Sequence, residues 1–288
     1  MWIDTILQGV LLGGLYALFA TGLSLSFGIM RLVNLAHGDF IVLAAYGGVV
    51  AVNWLGVPLY GSIVVVLPLM ATLGYVLQRL VLNHTLGQGI LPPLLVTFGI
   101  SVIIQNVLLT VFSADSQGLN TGAFQTTSLD LGGGIALGWF PLLVFATAVG
   151  VIVGLQLLSS HTALGRAFRA TSDDPRIAQL MGIDHHHAYA LAMALTMAVV
   201  AIAGIYLAMR TTVTPTIGPI RLLLAFEAVI IGGMGSLWGT LVGGIILGVA
   251  QSIGNHINPG FGLLAGHLAF LIMLMLRPAG LFPKTLDA

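Results

Sequence analysis

The chain has 288 residues, of which 58% are hydrophobic and only 6% charged, with a mean hydropathy of +1.06, whereas a soluble domain carries about a quarter charged residues. Nine basic and nine acidic side chains cannot clothe a water-facing surface, so lipid contacts much of it. Zero formal net charge and zero cysteines exclude a basic nucleic-acid footprint, a disulfide frame, a thiol nucleophile and a Cys-ligated metal.

A spanning helix needs roughly 20 mostly apolar residues. Windows 6–28, 32–52, 59–82, 91–112, 138–158 and 188–209 qualify. The first has no basic flank and no small-residue cleavage site, so it reads as a retained helix. Residues 222–254 are too long for one span and are interrupted by Gly232, Gly233 and Gly235. They divide into a short helix at 222–231 and a full one at 237–254, followed by 263–276. The expected fold is an all-α, polytopic transmembrane bundle of about eight or nine helices in a single domain over 1–288. Glycine-rich interruptions at 22–38 and 232–239 read as broken helices in two halves, a placement found in transporters built on inverted repeats.

Lys and Arg beside the spans set orientation. The one strongly charged connection, 159–187, belongs in the cytoplasm. Alternation then puts Arg31, Arg79 and the tail with Arg277 and Lys284 inside, and the Ser/Thr/Asn/Gly-rich stretch 113–137, Arg210 and Arg221 outside.

Four polar side chains, Arg31, Asn34, His37 and Asp39, stand at the entry to the second helix. Asn34 and His37, three apart, would share a helix face, and Asp39 near an N-terminus would be favoured by the helix dipole. They suit capping and interhelical hydrogen bonds, or gating. Glu227 lies inside an apolar run, where an ionisable group is costly enough to be a candidate for a place on a transport route. Arg221 is nearly two turns from it. Gly235, Gly239 and Gly243 form one small-residue row, and Gly244, Gly248 and Ser252 a second; such rows let membrane helices approach closely. Gly232, Gly233 and Gly235 are also candidate gating residues. Consecutive His185, His186 and His187 point in different directions and cannot converge on one ion. No metal site, cofactor or catalytic set is expected: the G-x-S-x-G and H-E-x-x-H patterns are absent. The single lysine, Lys284, follows Pro283 rather than the glycine of a phosphate loop, so energy from a nucleotide must come from another chain.

Within 159–187, Pro175 fits the first turn of a short helix capped by Asp173 or Asp174, with Ile177, Leu180 and Met181 along one face. Exposed apolar residues among Arg166, Arg169 and Arg176 suit a groove on a partner protein, or a resting place on the bundle or on lipid headgroups.

Three blocks resemble the membrane subunits of bacterial ABC importers for branched-chain amino acids: 27–40 (FGIMRLVNLAHGDF), the loop 165–182, and 226–248 with IGGMGS at 231–236. The tail LRPAGLF at 276–282 is similar as well. The chain's length resembles the smaller of the two permeases. The resemblance implies a second permease subunit, two ABC ATPase subunits, a periplasmic substrate-binding protein and an inner-membrane location, with leucine, isoleucine and valine as leading cargo. It also implies that 165–182 is the coupling helix, with Arg166, Arg169, Asp173, Asp174, Arg176 and Gly182 as candidate ATPase contacts. His185 to His187 depart from the family pattern. Relatives with the same blocks carry urea, short amides or other amino acids. A stand-alone channel or ion-coupled carrier using Asp39 or Glu227, and an intramembrane enzyme using His37 and Asp39, are the competing readings.

Overall fold

A computed structural model describes residues 2–125, 127–130 and 136–282. Among them run eleven α-helices: α1 (Trp2–Met30), α2 (His37–Asn53), α3 (Gly61–Leu80), α4 (Leu91–Phe112), α5 (Trp139–His161), α6 (Ala163–Asp173), α7 (Pro175–Leu180), α8 (His185–Arg210), α9 (Gly218–Gly232), α10 (Leu237–Ile257) and α11 (Gly262–Leu276). A short antiparallel hairpin, β1 (Ser128–Asp130) and β2 (Ala136–Gly138), interrupts the 113–137 connection. Each of the nine apolar windows holds one of α1 to α5 or α8 to α11, so the all-α polytopic bundle stands. Lys284 lies outside the described residues.

Length separates two kinds of helix. α1, α3, α4, α5, α8 and α10 are long and apolar enough to cross a bilayer. At 17, 15 and 15 residues, α2, α9 and α11 fall short of a core about 30 Å thick at about 1.5 Å per residue. Burial separates them differently. The most apolar window is 78% buried in α1 and 72% in α8, against 22% in each of α3, α4 and α5, so α1 and α8 form the axis and the other three the rim. Rim residues such as Val64, Phe98, Ile103 and Leu157 face outward, as lipid contact allows.

Two of the three short helices, α2 and α9, begin at the same depth. α1 ends where Arg31 takes a left-handed backbone (φ 51°), and residues 31–36 turn back into the bundle. There His37 Nε2 meets the Phe19 carbonyl at 2.8 Å, near the middle of α1. Residues 211–217 likewise return from the end of α8, and α9 starts at Gly218, packed directly on Gly38 and Asp39. α1 packs most heavily on α10, and α3 on α8; α1 also meets α8, and α2 meets α9. The first helix of each group, α1 to α4 and α8 to α11, thus lies against the third helix of the other.

Three expectations are corrected here. The second window begins at His37 rather than Leu32, because the backbone N–H of Leu35 is taken by Thr97 Oγ1 on α4 (3.2 Å) instead of by a helix. α1 continues through Gly22 and Gly28, whose missing side chains admit His37, the Thr196 carbonyl and Gly235; these glycines mark close packing, not a break. The return segment matching 31–36 is 211–217, whereas 233–236 is a tight turn between α9 and α10. Arg221 consequently lies on the second turn of α9, within the bundle's depth rather than outside it.

The two glycine rows of α10 serve different neighbours. A Cβ on Gly239 or Gly243 would overlap the carbonyls of Gly232 and Ala228 on α9, and one on Gly244 or Gly248 those of Gly13 and Gly9 on α1. Gly235 is not part of the helical row: it lies in the turn with φ 80°.

One end of the bundle collects Arg31, Arg79, Arg166, Arg169, Arg176 and Arg277, six of the eight arginines. Ser172 Oγ donates to the Gly28 carbonyl (2.8 Å), Arg79 pairs with Asp184 (3.3 Å), and the tail returns to α9 through Leu281 N to Ile231 O (3.0 Å). By the positive-inside rule such a cation bias is expected on the cytoplasmic side.

Candidate functional site

The mid-depth junction brings together three of the four polar side chains read at the start of the second helix, Asn34, His37 and Asp39, while Arg31 lies at the arginine-rich end. Asn34 is not on the helix face expected for it: its Oδ1 accepts from the Ala36 N–H (3.0 Å) and shapes the turn into α2. His37 is fully buried and ties α2 to α1 through the Phe19 carbonyl. Asp39 sits in the first turn of α2, where the helix dipole favours an anion; its Oδ1 accepts from Gln105 Nε2 (2.9 Å), and Gln105 also donates to Ser101 Oγ (3.2 Å). A buried polar group in lipid needs such partners. Gln105, a polar residue inside the apolar run 91–112, carried the same kind of signal as Asp39 and was missed, whereas Gly218 had none.

Glu227 lies two and a half turns further along α9 and is 2% exposed. Its partner is His267 on α11, with Nδ1 to Oε1 at 2.5 Å; Arg221 does not fill that role. The rule that singled out Glu227, an ionisable group inside an apolar run, applies equally to His267 between Gly266 and Leu268.

At the arginine-rich end, Gly233 (φ 100°) caps α9 and Gly235 (φ 80°) completes the turn into α10, conformations that side chains with a Cβ resist. Ser236 then caps α10 through the Gly239 N–H (3.1 Å). The tail closes over this turn: Phe282 N donates to Gly232 O (2.9 Å), and Gly280 sits on Gly233. The LRPAGLF tail therefore satisfies carbonyls that the end of α9 would otherwise expose.

α6 and α7 form a clamp beneath this turn. Thr162 caps α6 by accepting from Gly165 N (3.1 Å). Phe168 is 3% exposed, Arg169 donates to the Ser159 carbonyl, and Ser172 holds Gly28, so α6 is fixed to α5 and α1. Between them lies a cleft of about 440 Å³ lined by Ser24, Arg31, Arg169, Asp173 and Gly235 among others. Asp174, not Asp173, caps α7: its Oδ1 accepts from the N–H groups of Arg176 (2.7 Å) and Ile177 (3.1 Å). Gly182 (φ 84°) ends the unit. Arg166 and Arg176 remain exposed, and Ile177, Leu180 and Met181 are 60%, 86% and 78% exposed. The helix is short, so its cap matters. Asp174→Ala is expected to remove about 1 kcal/mol of local stability, read as roughly fivefold faster hydrogen exchange at Arg176 and Ile177 with unchanged exchange in α8.

His185 to His187 do not converge. His187 Nδ1 pairs with Tyr75 Oη (3.0 Å), His186 offers its carbonyl to Asn83 Nδ2 (3.2 Å), and His185 stacks on His186 with ring centres 4.1 Å apart. Asp184 caps α8 through the His187 N–H (3.2 Å). Its burial would raise the carboxyl's pKa, but that N–H and the Arg79 guanidinium outweigh it and hold the group below the usual range.

Over 98% of this chain and 96% of the relative, it is 28% identical to the high-affinity branched-chain amino acid transport system permease protein BraD of Pseudomonas aeruginosa. It is 26% identical, over the same shares, to the permease protein LivH of the corresponding system of Salmonella typhimurium. Among solved structures, PsaBC from Streptococcus pneumoniae in complex with Fab matches over 96% of both chains with a TM-score of 0.50 and 18% identity, a likeness of fold. The model of the family described as branched-chain amino acid transport system / permease component matches residues 5–276, and the chain, a multi-pass membrane protein, belongs to that family.

Proposed function

We propose that this permease moves branched-chain amino acids across the bacterial inner membrane as one half of a pair with a second permease subunit, driven by two separate ABC ATPase subunits and supplied by a periplasmic binding protein. The observation that carries this reading is the apolar edge of α7. Ile177, Leu180 and Met181 project from a capped helix that is clamped to the cytoplasmic ends of α1 and α5, and such an edge among arginines suits a protein groove. Because Ser172 of α6 holds Gly28 of α1, and Gly28 packs on Gly235, a push on α7 reaches the end of α1 and through it the α9–α10 junction, and a population shift between inward and outward states follows from it. The names carried by BraD and LivH support the cargo class. The chain supplies the route and no nucleotide site of its own, and lipid covers its rim.

Reconstitution tests the division of labour. Proteoliposomes holding the whole complex should take up leucine only with enclosed ATP and the loaded binding protein, and this chain alone should take up none. Concentrative uptake by the single chain, or mild-detergent purification that never brings down an ATPase, would refute the proposal.

A further inference from the structure

The face of α9 that carries Glu227 does not close against the bundle. Between α9 and α11 lies a groove of about 210 Å³ walled by Pro219, Leu222, Leu223, Phe226, Ile230 and Phe270, with Glu227 as its one ionisable lining residue. Leu223 is 47% exposed at its mouth. At about 30 Å³ per water the space equals roughly seven waters, below the range of about 300–1,000 Å³ typical of drug-sized ligands and on the scale of a small solute. The carboxylate is held by His267 through Oε1 alone; Oε2 is buried and has no hydrogen-bond partner among the described residues.

A carboxylate with one oxygen engaged and the other bare is costly in an apolar setting unless a donor arrives there. Hydrocarbon chains supply none. A solute with a cationic head and an aliphatic tail supplies both what the oxygen lacks and what the walls favour. Resting on the permease reading above, we propose that the α9–α11 groove is a station on the transport route, where Glu227 Oε2 takes the α-ammonium of the amino acid, the surrounding Leu, Ile and Phe side chains take its branched side chain, and its α-carboxylate stays at the open mouth beside Leu223, outside the apolar walls. His267 acts as a positioning residue: it fixes one carboxylate oxygen and leaves the other, covered in this conformation, without a competing partner for the cargo to displace.

Zero native cysteines make the test clean. In the complete reconstituted complex with other subunits cysteine-free, Leu223→Cys is modified with a maleimide in the presence of leucine or of 4-methylpentanoate, which keeps the side chain and carboxylate but lacks the ammonium. Leucine should slow labelling about fivefold and 4-methylpentanoate less than 1.5-fold. Adding Glu227→Gln, which keeps size and the bond to His267, should abolish leucine protection and cut leucine uptake at least tenfold, with Glu227→Asp recovering part of both. Equal protection by the two solutes, no protection by leucine, or a cysteine that the partner permease shields whatever the solute would overturn this station while leaving ATP-driven uptake intact. A parent complex without such uptake would instead overturn the permease reading itself.

Discussion

Leu180→Asp is expected to reduce ATP-driven uptake at least about twentyfold while the amount of chain in the membrane stays unchanged. The side chain is 86% exposed, so the bundle gains little from it and its loss cannot unfold α8 or α6. A partner that buries it gains about 1.5–3 kcal/mol, and an aspartate in the same groove would add the cost of a desolvated, unpaired charge. At about 1.4 kcal/mol per factor of ten, ATPase recruitment falls at least tenfold before the charge is counted. Gln179→Asp is the control: it puts the same charge on the adjacent exposed position without removing the apolar edge, and uptake should stay within about twofold. Co-purification of the ATPase subunits with each variant reads the effect directly. Equal recovery with Leu180→Asp and with the parent would show that α7 does not dock them.

Composition made the membrane and the number of apolar segments legible, because a 20-residue apolar run has few other uses. It could not tell axis from rim: α1 and α4 are both apolar on all sides, yet one is enclosed by protein and the other faces outward, since lipid and a membrane-protein interior select similar side chains. The α6–α7 clamp was readable as local structure because its signals are local. Pro175 after an aspartate, and apolar residues at 177, 180 and 181, specify a cap and a face within one short stretch, which the structure resolves to Asp174.

The junction was readable in part. His37 and Asp39 stood out as polar residues in an apolar neighbourhood, but what they bind, the Phe19 carbonyl and Gln105, is 18 and 66 positions away, and no local pattern encodes such pairings. Glycine was the misleading signal. Gly22 and Gly28 looked like a broken helix, whereas the true return segments, 31–36 and 211–217, are defined by partners such as Thr97 and by the meeting of Gly38 with Gly218. Glu227 was found by its cost. His267 carries the same mark, and the pair becomes visible only when α9 and α11 are brought side by side.

Gly243→Leu is expected to destabilise the assembled bundle by more than about 3 kcal/mol and to leave most of the protein aggregated on extraction. In lipid no hydrophobic drive pulls helices together, so α9 is held to α10 by dispersion and backbone proximity. At Gly243 that approach is so close that a Cβ would overlap the Ala228 carbonyl oxygen and crowd the Gly232 N–H. Neither obstacle is a side chain that can change rotamer, so α9 would have to move away as a unit. Moving it would disturb the turn at Gly233, the tail bonds to Ile231 and Gly232, and the reach of Glu227 to His267. Overpacking into a fixed core costs about 1–3 kcal/mol where side chains can adjust, and here backbone must. Gly243→Ala should already lower the thermal midpoint of the detergent-solubilised complex by several degrees. Gly150 on α5 provides the contrast, since a Cβ there meets nothing within 4 Å; Gly150→Ala should be neutral or slightly stabilising, as helix propensity favours alanine by about 1 kcal/mol. Similar midpoints for the two alanine variants would mean that the α9–α10 contact is looser than the backbone distances require, and that a push on α7 has no rigid element to move.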